Sequence, residues 1–157
     1  MKNGMKDGMM YVEYPFAALR GLVLKEVRGA EKGSDVVTFV TNYGTVFMMY
    51  HEQDCCEDVR LEDVTGDPQH LIGQPITLAL ESSKAGTDVD YGTSTWTFYR
   101  IGTVMGTVVL RWLGTSNGYY SEDVTFAREV PKDASKERYY LYDALPYFKR
   151  AARGEEG

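Results

Sequence analysis

Apolar and polar residues alternate along most of the chain, in short segments separated by turns that contain glycine or asparagine. Such alternation places successive side chains on opposite faces of a β-strand. It is clearest in residues 35–41, where Val37 and Phe39 share one face. Asn42-Tyr43-Gly44 then predicts a tight hairpin into residues 45–50, which are apolar on both faces and therefore indicate a central strand.

The same pattern predicts further strands, with bounds at 21–29, 74–83, 95–101, 103–113 and 119–129. A short helical turn is expected between Gly66 and Gly73, with Asp67 as its N-cap and Pro68 as its first residue. Since the strands are short and no long helix separates them, the pattern predicts a mainly β fold. We expect antiparallel meanders that form a β-sandwich or a partly open barrel.

The two ends of the chain lack this alternation. We expect a flexible N-terminal segment over 1–18, a β-rich domain over 19–130 and a C-terminal helical extension over 131–157. Within the extension, residues 134–153 permit a helix that docks on the sheet or on a neighbouring subunit, although Pro146 should split it. Four residues share its apolar face: Tyr140, Leu141, Leu145 and Phe148. The polar segment 82–94 is expected to be the most mobile internal loop.

Composition narrows the class of protein. A chain of 157 residues fits one domain, and its net charge of −6 disfavours binding to duplex nucleic acid. No apolar run is long enough to span a membrane, and the first residues lack the apolar stretch of a signal peptide. The two cysteines are adjacent, which excludes the disulfide framework of a secreted domain. The expected protein is soluble and cytoplasmic.

The most polar stretch of the chain, residues 50–64, holds one histidine, both cysteines and many carboxylates. His51 with Cys55 and Cys56 suggests a zinc site, but adjacent strand residues point to opposite faces, so small buried thiols are the preferred interpretation. A disulfide between the adjacent cysteines is a strained alternative that a reducing cytoplasm disfavours. His51 and Cys55, with Asp54, also suggest a base and a nucleophile. The favoured structural role is that His51, Gln53 and Asp54 satisfy backbone groups in a bend between strands.

The carboxylates of this stretch can be sorted by face. In a regular strand Glu57 and Asp63 lie on the core side, and the solvent side carries Asp58, Arg60 and Glu62. Glu57 with Asp54 or Asp63 would suit a magnesium site for phosphate-ester hydrolysis. A solvated charged face is the preferred interpretation.

A second cluster combines aromatic rings with arginine. Trp96, Phe98 and Arg100 share one strand face, and we interpret the rings of Trp96, Phe98 and Trp112 as core residues. Arg111 lies opposite Trp112 on its strand and precedes the turn that holds Asn117, Tyr119 and Tyr120. Rings beside an arginine, with amide and hydroxyl donors on a turn, suit a stacked base and a bound phosphate.

An ordered set of motifs carries a resemblance to a known family. The motifs include His51-Glu52-Gln53-Asp54-Cys55-Cys56-Glu57, Thr95-Trp96-Thr97-Phe98-Tyr99 and Ser116-Asn117-Gly118-Tyr119-Tyr120-Ser121-Glu122. Over residues 19–130 the chain resembles a small family of uncharacterised proteins encoded largely by bacteriophages. The resemblance implies a setting, the cytoplasm of an infected bacterium, and no settled activity.

Small acidic phage proteins of this kind are often antagonists of host immunity. The hypothesis is therefore a non-catalytic protein that captures a small nucleotide-derived immune signal, acts as a homo-oligomer, and needs neither a cofactor nor a metal. Its predicted ligand-binding residues are Arg111, Asn117, Tyr119, Tyr120, His51, Gln53 and Asp54. Two alternatives stay open: a metal-assisted phosphodiesterase that degrades such a signal, and a protein that inhibits a host defence enzyme.

Overall fold

A computed structural model describes residues 8–87 and 92–132 of the chain. These residues form nine strands and two 3₁₀ turns, at Phe16–Leu19 and Pro68–Leu71. The strands are β1 (Met9–Glu13), β2 (Leu24–Arg28), β3 (Val36–Thr41), β4 (Val46–Tyr50), β5 (Asp58–Thr65), β6 (Leu78–Ala85), β7 (Thr93–Thr103), β8 (Gly106–Ser116) and β9 (Thr125–Pro131).

The strands form two antiparallel sheets. The first has five strands in the order β1-β9-β4-β3-β2, and the second has four in the order β5-β8-β7-β6. The predicted mainly β fold is confirmed. Neither sheet closes into a barrel, and the two sheets share one buried core, as in a sandwich. The apolar strand predicted to be central is β4, which lies in the middle of its sheet.

The core lies between the sheets. Phe39 and Phe47 from the first sheet and Tyr99 and Trp112 from the second belong to one buried cluster. The indole N–H of Trp112 reaches across this interface to the sulfur of Met49, at 3.1 Å. Each fully buried large side chain contributes about 1.5–3 kcal/mol through removal of apolar surface from water, so the two sheets hold each other in place.

The N-terminal segment is more ordered than its composition indicates. Within 1–18, where we expected loose packing, β1 pairs with β9 and Phe16 is buried between the sheets. The partner of β1 lies more than a hundred residues away in sequence, so no local pattern could reveal the pairing. The C-terminal helix expected over 134–153 lies outside the described residues, as do residues 88–91 of the predicted mobile loop.

Strand β5 contains a bulge that alters the predicted faces. Asp58 pairs with Thr115 and Arg60 with Leu113, but the register shifts between Leu61 and Asp63. The extra residue moves Asp63 to the outer face, opposite Arg111. The prediction that Asp63 shares the core side with Glu57 is therefore wrong, because the strand is not regular.

The sequence predicted the 3₁₀ turn after Asp67 correctly, but it misplaced one hairpin turn and the start of one strand. The carboxylate of Asp67 accepts the N–H of Gln69 at 3.0 Å, and Pro68 opens the 3₁₀ turn as predicted. The β7–β8 hairpin turns at Val104–Met105, two residues after the predicted Gly102. The strand predicted over 119–129 begins only at Thr125, because residues 117–124 form an irregular segment.

Candidate functional site

The long hairpin of β7 and β8 has two different faces. Tyr99, Ile101 and Trp112 point into the core and are fully buried. Trp96 and Phe98 alternate with them and therefore point outward, where they are only half-buried. Trp112 is a core residue as predicted, whereas the core assignment of Trp96 and Phe98 is wrong.

These two rings form the centre of a surface that we call the aromatic–cationic face. It consists of Trp96, Phe98, Lys84, Arg100 and Arg111 on the outer side of the four-stranded sheet. The ring centroids of Trp96 and Phe98 are 6.4 Å apart and the ring planes differ by 21°. The Arg111 guanidinium carbon lies 5.3 Å from the Trp96 centroid, and the Lys84 ammonium lies 5.9 Å from the Phe98 centroid.

Register explains why these side chains meet. Phe98 pairs with Arg111 across β7 and β8, and Trp96 pairs with Lys84 across β7 and β6. Each cation therefore lies diagonal to the ring that it contacts, at a separation that long side chains bridge. The aromatic–cationic face therefore forms only where β6, β7 and β8 lie side by side.

The face is locally positive in a negatively charged protein. Arg111 forms an ion pair with Asp63 at 2.9 Å. Among the residues that the structure describes, no carboxylate forms an ion pair with Lys84 or with the exposed Arg100. Two charges are thus available to an anion, beside rings that can stack against a flat base.

The predicted turn residues lie at one end of this hairpin. The side-chain oxygen of Asn117 accepts the N–H of Tyr119 at 2.9 Å, so the amide is used within the turn. Tyr119 is 83% exposed, and its ring meets that of Tyr120 edge to face at 5.0 Å. Six residues of extended chain, roughly 20 Å, separate Asn117 from Arg111. The structure does not bring this turn and Arg111 into one pocket.

His51, Gln53 and Asp54 belong to a different place, the bend between β4 and β5. Gln53 donates to the carbonyl oxygens of Glu57 and Cys55, at 2.7 and 3.2 Å. The N–H groups of Asp54 and Cys55 donate to the two carboxylate oxygens of Glu57, at 2.9 and 2.8 Å. The bend is thus held together by side-chain to backbone hydrogen bonds.

Glu57 also anchors His51. The ring Nε2 lies 2.7 Å from a Glu57 oxygen, and Nδ1 lies 2.7 Å from the carbonyl oxygen of Asp123. A carbonyl only accepts, so Nδ1 donates to Asp123, while Nε2 faces the carboxylate of Glu57. Removal from water raises the pKa of Glu57, but the bonds from His51, Cys55 and Asp54 outweigh this and lower it to about 2.

The cysteines of the bend are joined to each other. Cys55 and Cys56 form a disulfide and are exposed, so the expectation of small buried thiols is wrong. That expectation assumed a strand, whereas both residues lie in the bend that precedes β5. His51 is committed to Glu57 and Asp123 and Cys55 to Cys56, so this arrangement offers no base with a free nucleophile.

The side chains suggested as zinc or magnesium ligands are not placed together either. Over residues 8–87 and 92–132, no three His, Cys, Asp or Glu side chains are placed to hold a metal ion. Of the proposed magnesium ligands, Glu57 is engaged with His51 and Asp63 with Arg111. In the same part of the chain, no helix is both long and apolar enough to cross a membrane.

A cleft that the sequence did not predict opens beside His51. It encloses about 340 Å³ and is lined by four carboxylates, from Glu13, Glu52, Glu81 and Asp123. Burial, followed by repulsion from Asp123 and Glu13, raises the pKa of Glu81, and a hydrogen bond with Tyr99 partly offsets this. The four residues come from distant parts of the chain, so no spacing in the sequence could signal the cleft.

Comparison with known proteins gives a family and no activity. A family model described as a domain of unknown function, DUF7448, matches residues 20–126. No match to the chain was found among curated proteins, and none among solved structures.

Proposed function

Because the chain belongs to the DUF7448 family, whose description assigns no activity, we propose a function from its geometry: capture of a small nucleotide-type ligand on the aromatic–cationic face. The observation that carries the proposal is the pair of half-buried rings flanked by cations on an open sheet face. Trp96 and Phe98 stack against the base, while Lys84, Arg100 and Arg111 hold phosphate.

Binding without catalysis is the favoured form of this proposal. Among the described residues no three His, Cys, Asp or Glu side chains are placed to hold a metal ion, and the candidate pair of His51 and Cys55 is engaged elsewhere. The resemblance to phage-encoded proteins supplies the setting. In an infected bacterium, a protein that binds a nucleotide immune signal and returns it intact would act as a host-immunity antagonist by lowering its free concentration.

A second copy of the chain completes the proposal. Strand β6 is an edge of the four-stranded sheet, and most of its residues are exposed. Edge strands invite pairing with another chain. A homo-oligomer formed along β6 would place two aromatic–cationic faces side by side on one continuous sheet, where one ligand can contact both.

Native mass spectrometry tests the capture directly. The full chain is incubated with a panel of cyclic oligonucleotides and ADP-ribose-type nucleotides, and bound mass and oligomeric state are read together. We expect a nucleotide-sized adduct that is released intact when the protein is heat-denatured. A consumed nucleotide would show the phosphodiesterase alternative, and absence of any adduct would favour the inhibitor of a host enzyme.

Variants locate the site. Trp96→Ala should weaken binding roughly 10- to 100-fold, since a base stacked on an aromatic ring is worth about 1–3 kcal/mol. Arg111→Ala and Lys84→Ala should weaken binding and reduce its dependence on salt. Isothermal titration calorimetry with the identified nucleotide measures these effects.

Matched controls lie on the opposite sheet. Tyr43 is an aromatic residue with 91% exposure in the β3–β4 turn, and Arg28 is an exposed cation on β2. Tyr43→Ala and Arg28→Ala should leave affinity unchanged. If the nucleotide binds equally well to Trp96→Ala and Tyr43→Ala, the proposed site is incorrect.

A further inference from the structure

The acidic cleft beside His51 lies on the inner side of the four-stranded sheet. Glu81 on β6, which lines the cleft, pairs with the core residue Tyr99 on β7. The neighbouring pair on the same face, Ser83 with Thr97, lines the cleft as well. Directly paired residues point to one side of a sheet, so all of these side chains lie opposite the aromatic–cationic face. The cleft is therefore a separate surface.

Thr97 contributes a buried hydroxyl to this cleft. Only 6% of the residue is exposed. Among the residues that the structure describes, its hydroxyl has no hydrogen-bond partner, and the side chain borders the cleft. A buried polar group without a partner is costly, so native proteins usually satisfy it with a bonded atom. This hydroxyl therefore suits a polar ligand atom inside the cleft.

The wall of the cleft carries four carboxylates, from Glu13, Glu52, Glu81 and Asp123. Over the described ranges, no Lys, Arg or His side chain forms an ion pair with Glu13, Glu81 or Asp123. Burial, followed by repulsion from Asp123 and Glu13, raises the pKa of Glu81, so the carboxylates act on one another. A cleft lined by charges of one sign concentrates ions of the opposite sign. The cleft favours a cation.

The spacing of the carboxylates indicates an organic cation. In the described part of the chain, no three His, Cys, Asp or Glu side chains are placed to hold one metal ion. The acceptors are spread over a cleft of about 340 Å³, near the lower end of the range for small-molecule pockets. A ligand whose positive groups stand several bonds apart can reach separate carboxylates. Val124 adds an apolar contact that suits a methylene chain between those groups.

We propose that the acidic cleft binds a linear polyamine, an alkyl chain that carries two or more ammonium groups. Glu81 and Asp123 accept hydrogen bonds from separate ammonium groups, and the hydroxyl of Thr97 accepts another. An ammonium group only donates, which matches a wall of carboxylates and hydroxyls. This site is independent of nucleotide capture, because the two sites lie on opposite faces of one sheet.

Isothermal titration calorimetry with spermidine tests the site in the full chain. A buffer with about 150 mM NaCl screens loose attraction to the negative surface. Spermidine should bind at least about tenfold more tightly than the monoamine butylamine, because its additional ammonium groups form further charge-assisted hydrogen bonds. Absence of spermidine binding, or an affinity no higher than that of butylamine, would overturn the proposal.

Two variants locate the spermidine site. Glu81→Gln combined with Asp123→Asn removes two charges at exposed positions, so the fold is kept, and should weaken binding at least about tenfold. Thr97→Val removes only a hydroxyl that has no partner among the described residues. It should weaken spermidine binding roughly 3- to 10-fold, the effect of one lost hydrogen bond.

The matched control removes two carboxylates far from the cleft. Glu26 and Glu31 are exposed, on and just after β2, which is the edge of its sheet opposite β1 and Glu13. Glu26→Gln combined with Glu31→Gln should leave spermidine affinity unchanged. Equal weakening by the control pair and the cleft pair would show attraction to net charge alone and would overturn the proposal. An arginine-rich peptide that binds where spermidine does not would point to a basic protein partner, which also overturns it.

Discussion

At the scale of single residues, the carboxylate of Glu57 forms three hydrogen bonds that hold the bend before β5 together. Its carboxylate binds the ring of His51 and the N–H groups of Asp54 and Cys55 while it is itself buried. Through His51 it also fixes the carbonyl of Asp123, on the segment that leads into β9. One side chain therefore connects the bend before β5 with a segment that lies far away in sequence.

A pH-dependent loss of stability follows from this arrangement. The folded-state pKa of Glu57 is about 2, below its ordinary value of 4.5, so its contribution is present above pH 4.5 and is lost as pH falls towards 2. We expect Glu57→Gln to lower the melting temperature at pH 7 by about 5 °C. The difference in melting temperature between Glu57→Gln and the unaltered protein should narrow as pH falls from 4.5 to the lowest accessible value.

The control for this measurement is Asp58→Asn, which removes the neighbouring carboxylate from an exposed ion pair with Arg60. Exposed pairs contribute little, so its melting temperature should stay within about 1 °C of the unaltered protein. A Glu57→Gln gap that stays constant from pH 7 to pH 2.5 would contradict the assigned role.

The sequence predicted some of these residue roles and missed others. Asp67 was identified correctly because an N-cap and its partner are two residues apart. Gln53 was placed correctly in a bend for the same reason, since its acceptors are local. The link from His51 to Asp123 spans 72 residues and depends on the packing of two strands, which no local pattern contains.

At the scale of elements, the segment between β8 and β9 is held by a buried acid. Glu122 accepts hydrogen bonds from the hydroxyls of Thr93, Thr95 and Ser116, at 2.7, 2.8 and 2.5 Å. Removal from water raises the pKa of Glu122, but the bonds from Ser116, Thr93 and Thr95 outweigh this and lower it. The segment lies close to β8, where Gly114 leaves room for it.

Gly114→Ala tests this close approach. An added Cβ would lie 2.7 Å from the carbonyl oxygen of Glu122 and 2.8 Å from its Cβ, so the segment must move and its hydrogen bonds must stretch. We expect a loss of about 1–3 kcal/mol in the free energy of unfolding, measured by urea denaturation.

The neighbouring change Thr115→Ala provides the comparison, because residue 115 points to the outer face of the same strand. It should alter stability by less than about 0.5 kcal/mol. If Gly114→Ala is no more harmful than Thr115→Ala, the segment is not held against β8 in the way described.

Alternation predicted most strands, because a half-buried strand imposes a period of two on its residues. It failed for β1, because the pairing partner is remote in sequence. It also failed at residues 117–124, because the hydrogen bonds of Glu122 hold an irregular segment there. For Trp96 and Phe98 the period was read correctly and the face was assigned wrongly. Tyr99 and Ile101 compete for the same core, and only packing decides which pair is buried.

At the scale of the whole molecule, the sandwich class could be predicted but the strand order could not. Nothing local indicates that β9 inserts between β1 and β4, or that four carboxylates then meet in one cleft. The charge distribution that results is uneven. Acidic groups gather in the cleft near His51, while cations remain on the outer face of the four-stranded sheet.

Partial burial of Glu81, followed by repulsion from Asp123 and Glu13, should cost stability at neutral pH. The pKa of Glu81 is raised above 4.5, so the folded protein holds that proton more tightly and loses stability as pH rises above this value. Glu81→Gln should therefore raise the melting temperature at pH 7, by about 2 °C, and the gain should vanish below pH 4.5. Differential scanning calorimetry across this pH range measures it.

Glu31→Gln removes the same charge from an exposed position in the β2–β3 turn, far from the cleft. Comparison of the two variants separates the effect of the cleft, burial and repulsion together, from the effect of net charge. Equal rises in melting temperature for Glu81→Gln and Glu31→Gln would show that the cleft does not destabilise the protein beyond the effect of net charge.

The bulge in β5 has a consequence for comparing related chains. Before it, residues of even number face outward; after it, residues of odd number do, so the strand changes parity at Glu62. A relative without the extra residue would keep one parity throughout, and the partner of Arg111 would then carry a number one lower. An alignment without a gap at this point would equate core positions with surface positions along half of the strand. Placing a single-residue gap at Glu62 restores the match between sequence and three-dimensional position.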